Sequence, residues 1–597
     1  MRYSSVLLLA VFLMATPTWA RQGTLPKTLE LSDTGGKTTK VLPLPKDEAL
    51  VVFFIGTGCP ISNSYAPTYG KLARRFADKK VRFLAINSVD PDADVVARHR
   101  KDYSIPFPVL MDPKLAAKRA LGAQVTPHAF LIAGNRILYE GRISDRWGSR
   151  TAKRGGEVKQ DLALAIQSWI SGKPGAVTST KAYGCAIPDP GSPGSNGTTS
   201  PYNYSEHVLP ILQKRCMECH REGEVAPFAM EDYDDVKSWA DEIVEFTSRG
   251  IMPPWKAVGP KDRFKDDCRL SDKEKEVLAV WAKGGTPRGD PGKASPMPTW
   301  PSGWKLGKPD LILELPRYTV TADGDEEYVL FVLPLTQDEQ RNIRALDYQP
   351  GNKKVVHHML GFLDPKHQGR ALDEADPKPG YRRFGGPGFR PEHILGGWAP
   401  GARVRPLPED VAFHIGPQRD MVVQMHYYKT GKEETDRSRI GVYFSKGEPK
   451  RYAYTHELAQ FRFKIPAGAK NHAVRKRIKL RTEVEIHTLF PHMHLLGKRM
   501  SLVARLPDGK LQTLIDVRDW DFNWQLIYEP TRPIRLPAGT ELTLTGWYDN
   551  SADNPRNPHR PPQDMGFGER TIDEMCYFLS TITFPRFPKL EFRKRNR

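Results

Sequence analysis

The chain has 597 residues, 39% hydrophobic, 27% charged and 10% aromatic, with a formal net charge of +19. This is too long for one hydrophobic core: roughly 150 residues per domain gives about four. The composition excludes a disordered chain, and the 52 Pro and 49 Gly favour loop-rich β architecture over helical bundles.

Residues 1–20 read as a secretory signal peptide, with Arg2, an apolar run at 6–15 and a small residue, Ala20, at its end. The run is too short to cross a bilayer, and no later stretch reaches about 18 apolar residues. A soluble periplasmic or secreted protein without a transmembrane segment is therefore expected. Export also argues against a nucleic-acid partner. The basic stretch 475–481 alternates apolar and basic residues, as on an exposed strand.

Residues 25–175 show a βαβ pattern: apolar strands at 49–55 and 81–87 with a helix at 65–76 between them. Cys59 lies between strand and helix, where a thiolate is favoured. Thr126-Pro127 precedes another strand at 128–132. This arrangement resembles the thioredoxin-like and peroxiredoxin-like superfamily, which implies a cis proline beside a reactive thiol. Two departures stand out. Ser62 replaces the second Cys of thioredoxins, and Gly56 replaces the Thr that peroxiredoxins carry three residues before the Cys. Cys185 is then the candidate resolving thiol for Cys59. The alternative is a retired redox domain with a leftover thiol.

A Gly/Ser/Pro-rich linker is expected at 176–203, followed by a helical domain at 204–290 with helices over 207–214, 233–249 and 271–283, the last opening on a Ser271-x-x-Glu274 capping box. The domain carries Cys216-Met217-Glu218-Cys219-His220. Thiols at i and i+3 can form thioethers to both haem vinyls, and the adjacent His can ligate iron. One c-type haem in a small all-α cytochrome c-like domain is expected. Zinc is the rival, but no second C-x-x-C or H-x-x-x-H completes its set. Met252 is the expected sixth ligand, with Met230 as competitor. A second linker is expected at 291–309.

From 310 onward short β-prone runs recur between turns, the pattern of two antiparallel sandwiches or jelly rolls, at 310–450 and 451–597. Three histidine groups occur there in order: His357-His358, His426 in Gln424-Met425-His426-Tyr427, and His492-Met493-His494 before Leu495-Leu496-Gly497-Lys498. Asp573-Glu574-Met575-Cys576 follows. An H-x-H on a strand puts both rings on one face. Adjacent histidines on a regular strand point to opposite faces, so His357 and His358 need a distorted strand to share a metal. Imidazole suits copper, and a thioether favours Cu(I).

In combination, order and spacing these motifs resemble the copper type II, ascorbate-dependent monooxygenases, the family of peptidylglycine α-hydroxylating monooxygenase and dopamine β-monooxygenase. The resemblance covers about 290 residues. It implies two copper ions: His357, His358 and His426 at an electron-supplying site, and His492, His494 and Met575 at the oxygen-binding, catalytic site. It also implies a disulfide partner for Cys576. The expected neighbouring strand, within 542–548, holds no Cys, so Cys576 is expected as a free buried thiol or an extra ligand. His414 and His487 are expected to be supporting or structural. The implied activity is hydroxylation of a C–H bond, on a small organic or peptide-like substrate with O₂. An external donor, ascorbate-like or a cytochrome, supplies the electrons, which the haem could relay to the copper. The rival functions are an envelope electron-transfer or copper-handling protein, and a thiol peroxidase with accessory domains using Cys59.

Overall fold

The computed structural model describes residues 25–585, except 135, 149, 151–157, 174–177, 188–199, 227, 301–302 and 337. The expected signal peptide and the Pro/Gly-rich part of the first linker lie outside the described residues. Among those described, no helix is long and apolar enough to cross a membrane.

The N-terminal unit is a thioredoxin-like α/β fold. Its seven-stranded sheet has Ala49–Ile55 as an interior strand, in which every residue is buried. This strand runs parallel to Val81–Asn87 and antiparallel to His128–Ala133. A strand covered on both faces needs an unbroken apolar run, which Ala-Leu-Val-Val-Phe-Phe-Ile supplies. The expected linker is not free along its length. Cys185–Ala186 pairs with Val125–Thr126, and Ile187 is buried in this unit's core.

The next unit is helical. The π-helical turn Tyr204–Val208, then Leu209–Arg215, Tyr233–Ser238, Ala240–Ser248 and Asp272–Lys283, pack around the buried Trp281. The helix expected over 233–249 is broken at Trp239. The Ser271/Glu274 capping box forms as its spacing predicts. The stretch 255–265 leaves this unit and docks on the last one. Ala257 and Phe264 bridge to Val517 and Pro530, and both are buried in the C-terminal core.

The remainder is all β. In the first β unit, Leu311–Glu314, Arg439–Phe444, Arg341–Gln349, Val411–Ile415 and Arg451–Tyr452 form one five-stranded sheet. Tyr381–Arg382, Glu327–Thr336, Arg419–Tyr427, Val356–Asp364 and Ile394–Trp398 form the other. Their inner faces share one apolar cluster. In the second β unit, a sheet ordered Tyr454–Ala459, Tyr577–Thr583, Val484–Ile486, Ile534–Leu536 packs against His472–Lys479, Glu541–Tyr548, Gly497–Arg505 and Leu511–Val517.

Candidate metal, haem and thiol sites

His358 and His426 face each other on the paired strands Val356–Asp364 and Arg419–Tyr427. The register slips between Val356 and His358, so His357 is the extra residue of a β-bulge. A bulge turns two neighbouring side chains toward one side, the distortion that an adjacent pair needs. The Nδ1 of His426 lies 2.9 Å from that of His357 and 3.4 Å from that of His358. Two imidazole donors about 2.0 Å from one ion, at angles of about 90–120°, stand roughly 2.8–3.5 Å apart. The three rings therefore have the spacing of a shared ion, with ligand atoms all within 4.8 Å of one another. Burial pushes the His358 imidazole well below its ordinary value, so it is a neutral donor at physiological pH.

Outer partners hold the rings. Glu326 accepts from His426 Nε2 at 3.0 Å, Gln424 lies 3.4 Å from His358 Nε2, and Tyr328 stacks on His426 with centroids 4.0 Å apart. Engaging Nε2 leaves Nδ1 to ligate.

The second set uses the opposite nitrogen. His492 Nδ1 donates to Gln525 Oε1 at 2.8 Å, and His494 Nδ1 to the Asp573 carbonyl at 3.2 Å, so each neutral ring carries its lone pair on Nε2. Desolvation holds these imidazoles down to about 4 and about 3. Their rings stand perpendicular, centroids 5.2 Å apart. The Asp573–Met575 turn is fixed to them through the buried Glu574, whose carboxylate accepts from the backbone N–H groups of His494 at 2.5 Å, Met575 at 2.8 Å and Leu496 at 2.9 Å. Desolvation pushes Glu574 up to about 8, against the opposing pull of those three donors. Phe522 stands between the two sets, with its ring 6.5 Å from His357 and 5.7 Å from His494.

His357, His358, His492, His494 and Met575 all line one cavity of about 1310 Å³, and so do Cys216, Cys219, His220 and Met252. His426 is wholly buried behind His357 and His358. His220 Nδ1 donates to the Phe228 carbonyl at 3.1 Å, leaving Nε2 for iron, and burial holds the ring at about 4. Phe228 stacks on Trp239 at 4.1 Å, and with Ile243 and Phe246 they give that end of the cavity apolar walls suited to a porphyrin. Met230 and Met252 both line the cavity; Met230 is also part of the helical core, whereas Met252 joins no core cluster.

Cys576 is a free thiol, 1% exposed and hydrogen-bonded to Tyr548, a residue of the strand expected to neighbour it. His414 bonds to Asn342 and stacks on Tyr452. His487 bonds to Thr583. Neither joins a cluster with metal-ligand spacing among the described residues.

In the N-terminal unit, Cys59 sits at the end of the central strand beside the cis Thr126-Pro127 bond. Its Sγ is 2.8 Å from the Thr126 carbonyl and 3.4 Å from the Ser62 amide. Strand pairing sets Cys185 opposite Thr126, and the two thiols hydrogen-bond each other. Burial raises the Cys59 thiol, but hydrogen bonds from the Cys185 thiol, the Thr126 hydroxyl and the Ser62 and Cys185 amides outweigh it and hold the thiol below its ordinary range. The same contact raises Cys185, making it the proton donor of the pair.

Residues 23–140 match the AhpC/TSA family. The match makes this unit a redoxin domain and points to oxidoreductase chemistry there. Solved structures similar to the chain include an uncharacterised conserved protein of Geobacillus kaustophilus. It is 23% identical, with 28% of this chain and 92% of that one covered and a TM-score of 0.26. A hypothetical protein of Sinorhizobium meliloti 1021 is 28% identical, with coverages of 28% and 92% and a TM-score of 0.25. StoA of Bacillus subtilis is 17% identical, with coverages of 20% and 89% and a TM-score of 0.18. No curated protein matches the chain.

Sequence reasoning missed Glu326, Gln525, Phe522 and Glu574. Glu326 is 100 residues from His426, and Gln525 is 33 from His492. No local pattern announces such partners. Only for Glu574 was there a signal, a carboxylate directly beside the candidate ligand Met575.

Proposed function

We propose that the chain is an exported copper-dependent monooxygenase that hydroxylates a C–H bond with O₂ and carries a c-type haem as its own one-electron carrier. The observation that carries this reading is the bulge that brings three imidazole Nδ1 atoms to ion-sharing distance, facing a second imidazole set across Phe522. His357, His358 and His426 would hold one copper; His492, His494 and Met575 would hold the other. Copper in such His₃ and His₂Met sets supplies one-electron redox chemistry and O₂ binding. Cys216 and Cys219 would anchor the haem, and His220 and Met252 would hold its iron, which would supply one-electron transfer.

The chain's own residues do the rest. Gln525 and the Asp573 carbonyl fix the His492 and His494 tautomers. Glu574 ties three backbone amides into one turn, so His494 and Met575 keep a fixed relation. Phe522 lines the cavity with its ring against both sets. The substrate carbon is then held beside His492 and His494 rather than meeting them by diffusion.

The test is metal and haem analysis of the full chain, purified from an envelope fraction of cells that attach c-type haem, followed by an O₂-uptake screen. Two coppers and one covalent haem per chain, with substrate-dependent O₂ uptake, are expected. Copper content unchanged by combined His357→Ala, His358→Ala and His426→Ala substitutions would sink the assignment. Copper and haem without substrate-dependent uptake would favour an electron-transfer or copper-handling protein.

A second activity is favoured by one observation, the contact between Cys59 and Cys185. Cys59 is the nucleophile of a thiol peroxidase or thiol–disulfide site, with Cys185 resolving it from a strand beyond the family match. Loss of peroxide turnover in Cys59→Ser tests it, with a small-molecule dithiol as reductant.

A further inference from the structure

The cavity wall beside His492 is built by two paired segments. Phe490 lies opposite Leu579, and His492 opposite Tyr577. Side chains alternate between the faces of a strand, and cross-strand partners share a face. Phe490, His492, Tyr577 and Leu579 therefore stand on one side, and Met575 continues it two positions before Tyr577. Burial follows the same alternation: 575, 577 and 579 are partly open, while Cys576 and Phe578 sit in the core. The cavity-facing residues all line the cavity described above. Across it, the strand Val356–Asp364 presents His358, Leu360 and Phe362 to the same space.

Each imidazole that opens on this space is thus flanked by hydrocarbon. The Phe490 ring lies 6.1 Å from His492 at 25°, and the Tyr577 ring 6.3 Å away at 88°. Tyr577 gives its hydroxyl proton to Glu457 at 2.8 Å, so it shows the cavity its ring. The guanidinium groups of Arg403 and Arg405 also reach the cavity, but they are bound to Asp266, with Glu218 and Glu529 beside them, toward the helical unit. On the Phe490/Leu579 face, Glu457 is paired with Leu579 and its carboxylate takes the Tyr577 proton; among the described residues, no cationic side chain in these paired strands stands there to anchor a substrate carboxylate.

We infer that the compound presented to His492, His494 and Met575 is apolar around the carbon it offers and carries no carboxylate there, an alkyl or alkyl-aromatic molecule held by hydrocarbon contact. This rests on the oxygenase reading of that site. Hydrocarbon contact grows with buried area, so each methylene buried tightens binding about fourfold, whereas an unpaired carboxylate brought to the same wall must be desolvated without compensation.

The experiment measures dissociation constants on the full chain by quenching of its tryptophan fluorescence. Toluene, ethylbenzene and propylbenzene are compared with benzoate, phenylacetate and 3-phenylpropionate, and copper content is measured in parallel. The neutral series should tighten about fourfold per methylene until the cavity is filled, and each carboxylate should bind at least tenfold more weakly than its neutral counterpart. Leu579→Asp, and separately Phe490→Gln, should weaken the neutral series about tenfold or more with copper content unchanged. Carboxylates binding as tightly as the hydrocarbons overturn the inference, and so does a neutral series flat with chain length. Indifference to both substitutions does the same. Copper retained alongside such a result leaves the oxygenase reading standing. Tight neutral binding in a chain that takes up no copper removes that reading instead, and the substrate inference with it.

Discussion

Replacing Glu326 tests how the three-histidine cluster is held. Its carboxylate takes the Nε2 proton of His426 at 3.0 Å, on a ring that is fully buried, while its own side chain is 29% exposed. The contact fixes which nitrogen of His426 points at His357 and His358. Partners of this kind typically contribute 10–100-fold to metal affinity. Glu326→Gln keeps an acceptor and loses the charge, which solvent already screens in part, so about tenfold weaker copper binding is expected. Glu326→Ala removes the acceptor, and the loss should approach 100-fold, about 2.7 kcal/mol. Competition against a chromophoric copper chelator measures this, with His472→Gln as a control away from the cluster. Both Glu326 variants binding within twofold of the parent, while His426→Ala loses the ion, would refute the claim that tautomer control organises this site.

Four more outcomes follow from the same contacts. Cys185→Ser weakens a donor that holds Cys59 low, so the Cys59 alkylation profile should move to higher pH; an unchanged profile would separate the two thiols. Burial holds His128 at about 4 against 6.5 in the unfolded chain. Because its folded value is depressed, its stabilising contribution is intact above pH 6.5 and is lost as pH falls through about 4, by up to about 3 kcal/mol. The stability gap between parent and His128→Gln should shrink over that window in urea titrations; a constant gap would contradict the burial argument. Phe264→Ala empties a site that is 5% exposed in the C-terminal core, at a cost of about 3–5 kcal/mol, and should loosen the helical unit from it, seen as an additional calorimetric transition. Cys216→Ser combined with Cys219→Ser should leave no thioether, so acid–acetone extraction should remove haem from the variant and not from the parent; haem retained in the variant would contradict covalent attachment at this motif.

Local pattern carried the strands. The run Ala49–Ile55 is apolar at every position because both of its faces are covered, and alternation marked the β units because one face of each strand meets a core. The expected helix over 233–249 is two helices, Tyr233–Ser238 and Ala240–Ser248, separated at Trp239, a break that no Pro or Gly in the sequence marks. The thiol environment was half legible. Cys59 and the proline could be read from the chain, but the hydrogen bond from Cys185 depends on a two-residue strand that no periodicity reveals.

By itself, the sequence determined the order of the units, the donor types and their spacing along the chain, because those follow from side-chain chemistry and from periods of two and 3.6 residues. Tertiary structure alone decided that His357 and His358 point the same way, since that turns on a one-residue slip in strand register. It also decided that Glu326 and Gln525 select opposite nitrogens at the two histidine sets, and that hydrocarbon surrounds His492. Such pairings join residues tens of positions apart, and only packing brings them within hydrogen-bonding distance.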